Sequence, residues 1–245
     1  MEVLIFIIAF IASFVFSLGG IGSAVILVPI MISMGIPINS AKPIGLFINT
    51  VSMAGASISN IKHKRLDFKM GIPIIVFSFI FAIVGAYISQ YIPSNYILIL
   101  FIGFLIFSGF MFLFYKKKEV ETYRSDIPYM ALSLIGGGAG LLSGLLGIGG
   151  GSIIAPLMLM LGLNPKKIAA ITAFVVPFSS FSGFITYWAM GSVDWKILAI
   201  ASIAGVAGAT LGTAIMQKNL SSASVKKILA FILLIMAIKL IFKLF

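Results

Sequence analysis

Ten apolar runs, separated by short polar or Gly/Pro-rich breaks, constrain this chain more than any other feature. They cover approximately residues 3–18, 23–34, 42–60, 70–90, 95–115, 128–146, 151–162, 168–189, 196–216 and 223–242. A helix needs about 20 mostly apolar residues to cross the hydrocarbon core of a bilayer. Since only helices and closed barrels satisfy their backbone polar groups in lipid, these runs predict an all-α membrane protein with about 8–10 transmembrane segments.

The composition supports this class, because 61% of the 245 residues are hydrophobic and only 9% are charged. A soluble core of this length cannot hide so much apolar surface. The formal net charge of +11 would suggest nucleic acid in a soluble protein. Here it indicates lysines and arginines on the cytoplasmic side of a membrane, so we expect lipid surroundings and no nucleic acid. Cysteine is absent, which excludes disulfides, thiolate chemistry and cysteine-based metal sites.

Two of the runs, 23–34 and 151–162, are too short to cross a bilayer, and each follows a glycine-rich stretch. The first stretch contains Gly19, Gly20 and Gly22; the second contains Gly147, Gly149, Gly150 and Gly151. Glycine permits tight turns whose amides can approach a ligand, and in lipid such turns occur only inside protein or around a cavity. We expect two glycine loops, each followed by a half-membrane or re-entrant helix that Pro29 or Pro156 breaks. Whether segments 3–18 and 128–146 cross fully or form hairpins with these short helices stays open.

The two glycine stretches belong to an internal repeat with an offset of 127 residues. Leu18, Gly20, Ile21, Gly22, Ile26, Pro29, Met31 and Gly35 match Leu145, Gly147, Ile148, Gly149, Ile153, Pro156, Met158 and Gly162. The same gapless register pairs Asp67 with Asp194 and Lys69 with Lys196. It predicts an N-terminal transmembrane repeat (1–115), a cytoplasmic linker (116–127) and a C-terminal transmembrane repeat (128–245), with five segments in each repeat.

An odd number of crossings in each repeat would invert the second half relative to the first, and the charges favour this. With the loop 61–69 in the cytoplasm, the basic residues inside are Lys62, Lys64, Arg65, Lys69, Lys116, Lys117, Lys118, Arg124, Lys166, Lys167, Lys218, Lys226 and Lys227. Only Lys42, Lys196, Lys239 and Lys243 then lie outside. The positive-inside rule therefore predicts a multi-pass protein of the cell membrane with both termini external. Inverted repeats are frequent in secondary transporters, whose substrates bind near the midplane.

Acidic residues and histidine are missing from the middle of the apolar runs. All six acidic residues lie at a terminus or in loops, and the one histidine, His63, lies in a basic loop. This argues against a carboxylate proton relay and removes the usual ligands of a hard metal, so we expect neither metal nor cofactor. Because the chain also lacks a Gly-x-Ser-x-Gly elbow and a phosphate-binding loop, we expect no catalytic residues and no enzyme activity.

Recognition is therefore left to neutral groups: loop amides, hydroxyls, side-chain amides and helix N-termini, whose partial positive charge suits an anion. The predicted substrate-binding residues are Gly19, Gly20, Gly22, Ser23, Asn49, Thr50, Gly147, Gly149, Gly150, Gly151, Ser152, Thr172 and Ser179. Ser52, Ser180 and Ser182 are further hydroxyls in the third segments of the two repeats. For Ser23 and Ser152 the alternative is helix capping alone. For Asn49 and the hydroxyls it is hydrogen bonding between helices.

The sequence resembles the TauE/SafE family of sulfite exporters over essentially its whole length. The resemblance lies in Gly-Ile-Gly-Gly-Gly-Ser-Ile-Ile-Ala-Pro at 147–156, a weaker first copy at 20–29, and the two-half organisation. It implies a membrane transporter, often an exporter, for sulfite, organosulfonates or related small sulfur-containing anions. The first copy departs from the pattern, with Ser23 and Ala24 where the second has Gly150 and Gly151.

A channel-like anion pore and a non-transporting structural membrane subunit remain alternatives. The sequence leaves open which anion is bound, the direction of net transport, the coupling ion and the oligomeric state, for which a homodimer is one option.

Overall fold

The computed structural model describes residues 2–16, 22–62, 66–114, 126–163, 165–191, 193–219 and 222–244, and within these ranges every regular element is an α-helix. The ten helices are α1 (Glu2–Phe16), α2 (Ala24–Ser33), α3 (Ile38–Lys62), α4 (Phe68–Ser89), α5 (Ser94–Phe114), α6 (Tyr129–Leu146), α7 (Gly151–Met160), α8 (Pro165–Ala189), α9 (Trp195–Asn219) and α10 (Ser222–Leu244). Each overlaps one of the ten apolar runs, so the all-α prediction is confirmed for the described residues.

Four segments in the described ranges are long and apolar enough to cross a membrane. They are Phe68–Ser89, Ser94–Met111, Tyr129–Leu146 and Lys167–Ala189. On α4, Ile72, Phe79 and Ile80 are exposed on the protein surface, as side chains that face lipid are. The larger number of crossings expected from the sequence stays a prediction.

Helix bounds recur at the offset found in the sequence. Helices α2 and α7 have 10 residues each, and α3 and α8 have 25 each. In both pairs, and in the pairs α1/α6 and α4/α9, the second helix begins 127 residues after the first. Ten helical residues rise only about 15 Å, half the thickness of a hydrocarbon core.

The closest helix neighbours come from opposite halves of the chain. Helix α1 packs on α9, and α6 packs on α4; α3 crosses α8, and α5 packs on α10. The two halves are therefore interleaved, and most of the buried core lies between them.

Residue contacts give the relative directions of these helices. Along the α3–α8 crossing, Phe47 contacts Phe184 and Asn49 contacts Ser180, while Ser57 reaches the Ala173 carbonyl. Residue numbers rise on one helix as they fall on the other, so α3 and α8 run antiparallel. Along α4–α6 they rise together, from Ile74 with Gly136 to Ala82 with Gly144, so these two helices run parallel.

Three glycines form a stripe on α6 that packs directly against the backbone of α4. A Cβ added to Gly136, Gly140 or Gly144 would collide with main-chain atoms of Ile74, Ser78 or Ala82 respectively. Small residues permit this close approach of helices, which brings many backbone and side-chain atoms into van der Waals contact. Gly138, on the other side of α6, faces open space.

The prediction that Pro29 and Pro156 break their helices is wrong. Each is the sixth residue of a ten-residue helix, which continues to Ser33 or Met160. A proline inside a helix removes one main-chain donor, and neighbouring groups in a membrane protein can satisfy the carbonyl that is freed.

Pro177 in α8 illustrates such compensation. Its missing N–H would have bonded the carbonyl of Ala173, four residues earlier. That carbonyl instead accepts a 2.6 Å hydrogen bond from the Ser57 hydroxyl of α3. Helix α3 thus supplies the partner that the freed carbonyl needs.

Candidate substrate site between the two glycine loops

Asn49 lies at the crossing of α3 and α8 and is completely buried. Its side-chain amide donates a 3.2 Å hydrogen bond from Nδ2 to the hydroxyl of Ser180 on α8. Because the 25 residues of α3 run from Ile38 to Lys62, Asn49 lies near the middle of the helix. The two central helices thus meet at a polar point inside an apolar core.

Both glycine loops reach this amide. Gly22 has φ +84°, and a Cβ placed on it would overlap Asn49 Oδ1. Gly149 has φ +69°, and its Cβ would overlap Asn49 Nδ2 and lie 2.9 Å from Ser180 Oγ. Only glycine combines this left-handed backbone with the absence of a side chain. The two glycines, 127 residues apart, therefore lie against the oxygen and the nitrogen of one side-chain amide, its two poles.

Two helices begin beside the same amide. Helix α2 starts at Ala24, two residues after Gly22, and α7 starts at Gly151, two residues after Gly149. The first N–H groups of a helix have no partner within it, and the helix dipole gives that end a partial positive charge. The loop geometry therefore brings two partly positive helix ends to one buried polar position, which suits an anion.

Several buried polar atoms around this position have no hydrogen-bond partner among the described residues: Asn49 Oδ1, Ser23 Oγ and Ser152 Oγ. Ser23 is the N-cap of α2 but makes no capping hydrogen bond, and Ser152 is already the second residue of α7. Capping therefore does not explain either serine. Unpaired buried polar groups are costly. The two serine hydroxyls can donate to a ligand, whereas Asn49 Oδ1 is an acceptor and pairs only with a donor.

Three other predicted hydroxyls already donate hydrogen bonds within their own helices. Thr50 and Thr172 donate to carbonyls one turn earlier on their own helices, those of Leu46 and Ile168. Ser179 likewise donates to the Val176 carbonyl. Their hydroxyl protons satisfy local backbone, and the structure does not bring them to the glycine loops as donors.

The remaining predicted glycines have separate positions. Gly147 ends α6 in a left-handed conformation, Gly150 is the N-cap of α7, and Gly151 is the buried first residue of α7. Gly19 and Gly20 lie outside the described residues.

Lys42 is the side chain that the sequence reasoning missed. It lies in α3 with no exposed surface, and its place on the external side of the membrane stays a prediction. Its Nζ is 5.6 Å from the ring centroid of Tyr187 and has no hydrogen-bond partner among the described residues. Its spacing from Asn49 was a usable signal, because seven residues are almost two helical turns and place both on one face.

Asp67 and Asp194 directly precede helices and lie outside the apolar runs, as the sequence predicts. Asp194 accepts hydrogen bonds from the main-chain N–H groups of Lys196 and Ile197 at the start of α9. Asp67 precedes α4 and lies 3.6 Å from the ammonium of Lys167 in α8. Asp194 thus caps the start of α9, and Asp67 links the starts of α4 and α8.

Comparison with known proteins places the chain in a family. The sequence profile described as Sulfite exporter TauE/SafE matches residues 5–240. The chain belongs to the TauE/SafE family. The resemblance seen in the duplicated glycine–proline motif is thereby confirmed, and the family is one of membrane transporters.

Relatives of this TauE/SafE protein occur in bacteria, archaea and plants. The probable membrane transporter protein YunE of Bacillus subtilis is 27% identical over 98% of this chain and 97% of its own length. A probable membrane transporter protein of Methanocaldococcus jannaschii is 29% identical over 88% of this chain and 86% of its own. Sulfite exporter TauE/SafE family protein 2 of Arabidopsis thaliana is 32% identical over 46% of this chain and 26% of its own. These relatives are named as transporters and not as enzymes. No solved structure matches the chain.

Proposed function

We propose that this TauE/SafE protein is a secondary transporter that exports sulfite, an organosulfonate or a related small sulfur-containing anion. The family supports the substrate class, and the names of its plant relatives specify sulfite. The single observation that carries the proposal is the meeting of Gly22 and Gly149 on the two poles of the Asn49 amide.

The anion binds where the N-termini of α2 and α7 converge. Main-chain N–H groups of the two glycine loops and helix starts donate to its oxygens, together with the hydroxyls of Ser23 and Ser152. An oxyanion accepts many hydrogen bonds, and donors fixed by a folded backbone need little reorganisation to bind it. Thr50, Thr172 and Ser179 hold the surrounding helices and do not contact the anion as donors.

Alternating access follows from two inverted repeats that rock about this position. Inversion is supported by the antiparallel crossing of α3 and α8, which are equivalent helices of the two halves. Helices α2 and α7 enter the membrane only half-way and return, as re-entrant elements. Such short helices, with their N-termini at a midplane substrate, are a recurrent transporter design.

The charges set the orientation in the cell membrane. We place the start of α4, the linker 116–127 and the start of α8 in the cytoplasm, with both termini outside. The ion pair between Asp67 and Lys167 supports this, because it joins the starts of α4 and α8 on one side of the protein.

Export of an anion needs no coupling ion in this scheme. An inside-negative potential favours anion exit by about 2.3 kcal/mol per charge per 100 mV. The absence of carboxylates and histidine from the middle of the apolar runs agrees with a uniporter.

The test is sulfite flux in proteoliposomes that hold the purified full-length protein. An imposed potential should drive saturable flux without a proton or sodium gradient, and unlabelled sulfite on the far side should accelerate exchange. A strict need for either gradient would refute the uniport mechanism. Flux that does not saturate and shows no exchange would favour a channel-like pore. If no sulfur anion is transported at all, the protein would be interpreted as a non-transporting structural subunit.

Two glycine variants make the test specific to the site. Gly22→Ala places a methyl group on Asn49, whereas Gly35→Ala, also at positive φ (+93°), meets nothing within 4 Å. Both variants strain the backbone, but only the first should abolish flux. Equal flux in the two variants would show that transport does not depend on the contact between Gly22 and Asn49.

A further inference from the structure

Lys42 is a buried cation with no described counter-charge. Its side chain is fully buried, and Nζ has no hydrogen-bond partner among the described residues. A buried charge without a partner is strongly destabilising. In a membrane protein such an ionisable group marks a functional site by default.

The surroundings of Lys42 hold it in place without neutralising it. Its ammonium lies 5.6 Å from the ring centroid of Tyr187, within the range of a cation–π interaction. The Tyr187 hydroxyl donates a 2.8 Å hydrogen bond to the Gly144 carbonyl and shares another with Ser89. The ring is thereby fixed by α4 and α6, and the three N–H donors of the ammonium are left for another ligand.

The second glycine loop connects Lys42 with the Asn49 site. A Cβ on Gly147 would collide with the Cα and Cβ of Lys42, while one on Gly149 would collide with Asn49. The two side chains are seven residues apart on α3, which corresponds to a rise of about 10.5 Å. Residues 147–149 therefore pack along α3 from one polar group to the other.

We propose that Lys42 forms a second anion-binding site, here called the station. It binds small oxyanions between the Asn49 site and the N-terminus of α3 at Ile38. The inference rests on the proposed function for the nature of the anion. Lys42 supplies a full positive charge to the pathway, whereas the Asn49 site supplies neutral donors and helix dipoles. The station binds doubly charged anions more tightly than singly charged ones, because the Coulomb energy with a fixed cation grows with ligand charge.

The experiment compares ligands of different charge on the purified full-length protein by titration calorimetry. At neutral pH sulfoacetate carries two negative charges, while taurine is a zwitterion with no net charge. Lys42→Met keeps the length of the side chain and removes its charge; Lys42→Arg keeps the charge. Lys69→Met is the matched control, since Lys69 is an exposed lysine at the start of α4.

We expect Lys42→Met to weaken sulfoacetate binding by about tenfold or more, as loss of a hydrogen bond to a charged group does, and to change taurine binding much less. Lys69→Met should bind sulfoacetate like the wild type, and Lys42→Arg should keep more sulfoacetate binding than Lys42→Met. Unchanged sulfoacetate binding in Lys42→Met would overturn the proposal, and so would an equal loss for both ligands, which indicates a purely structural role.

A measurement on the wild type keeps the proposal testable if Lys42→Met does not fold. Selenite is a pyramidal oxyanion like sulfite, and its selenium can be located by anomalous scattering in crystals. Selenium density in contact with Lys42 Nζ supports the station, and its absence there overturns it. Lys42-dependent binding in a protein without sulfite flux would refute the proposed function alone, while sulfite flux with no Lys42-dependent binding would refute this inference alone.

Discussion

Glycine has two roles in this protein: on α6 it permits close helix packing, and in the two loops it surrounds the polar side chain of the candidate site. On α6, Gly136, Gly140 and Gly144 have helical backbones and let α4 approach until main chain meets main chain. In the loops, Gly22 and Gly149 have positive φ and meet the polar end of one side chain, Asn49. The first group removes side chains so that helices can pack. The second clears space around a polar group so that loop amides reach it.

The two groups should therefore respond differently to substitution. A methyl group at the α4–α6 interface must push two helix backbones apart, which the packed core resists. A methyl group in a loop must displace one amide side chain, which disturbs the site more than the fold. Stability should report on the interface, and flux should report on the loops.

The largest effect is expected for Gly140→Leu. Its side chain would be forced into the main chain of Ser78, and such overpacking costs about 1–3 kcal/mol or more. We expect little folded protein by size-exclusion chromatography and a lower melting temperature for what remains. Gly138→Leu, which faces open space on the same helix, should behave like the wild type. Similar behaviour of the two variants would contradict close α4–α6 packing.

The next effect is expected for Gly149→Ala. The methyl group overlaps Asn49, so we expect flux to fall by roughly 100-fold, which corresponds to about 2.7 kcal/mol, with folded protein still recovered. The control is Gly162→Ala at the end of α7, which has φ +78° and meets nothing within 4 Å. A comparable loss of flux in Gly162→Ala would attribute the effect to backbone strain alone.

Asn49→Ala should weaken sulfite binding by about tenfold, since it removes the amide against which both glycine loops pack and leaves Ser180 without its donor. It also creates the room that Gly149→Ala lacks. In the double variant the alanine at 149 should therefore cost less stability than it does alone, which a double-mutant cycle measures. Additive losses would show that Gly149 and Asn49 do not interact.

The smallest effect is expected for Ser57→Ala, at another point of the α3–α8 crossing. The variant removes the hydrogen bond to the Ala173 carbonyl and should lower the free energy of unfolding by about 1 kcal/mol. Sulfite flux per folded molecule should be unchanged, because Ser57 is two helical turns from Asn49. A loss of function as large as that of Asn49→Ala would indicate that the site includes Ser57 as well as Asn49.

Much of this fold could be predicted from the sequence, because its main constraint is local. A backbone in lipid must satisfy its own polar groups, so each apolar run becomes a helix without reference to distant residues. The 127-residue offset was readable for the same reason: it lies in matched glycines and prolines and recurs in the helix bounds. The duplicated glycine–proline motif also identified the TauE/SafE family.

The errors concern single side chains. Pro29 and Pro156 lie inside continuous helices, since loss of one hydrogen bond does not end a helix that its neighbours support. Ser179, predicted as a substrate-binding hydroxyl, bonds its own helix, whereas the neighbouring Ser180 accepts the hydrogen bond of Asn49. One position along a helix turns a side chain by about 100°, and the amino-acid type does not reveal which serine faces the partner.

Helix number, the repeat and the family were thus contained in the sequence, since they depend on residues close together in the chain or on a pattern copied within it. The meeting of Gly22, Asn49 and Gly149, and the burial of Lys42, depend on how helices from the two halves pack. Asn49 and Ser180 are 131 residues apart, and no local pattern specifies that they touch. The identity of the elements is a property of the apolar runs, whereas the site arises from contacts that exist only once the halves have interleaved.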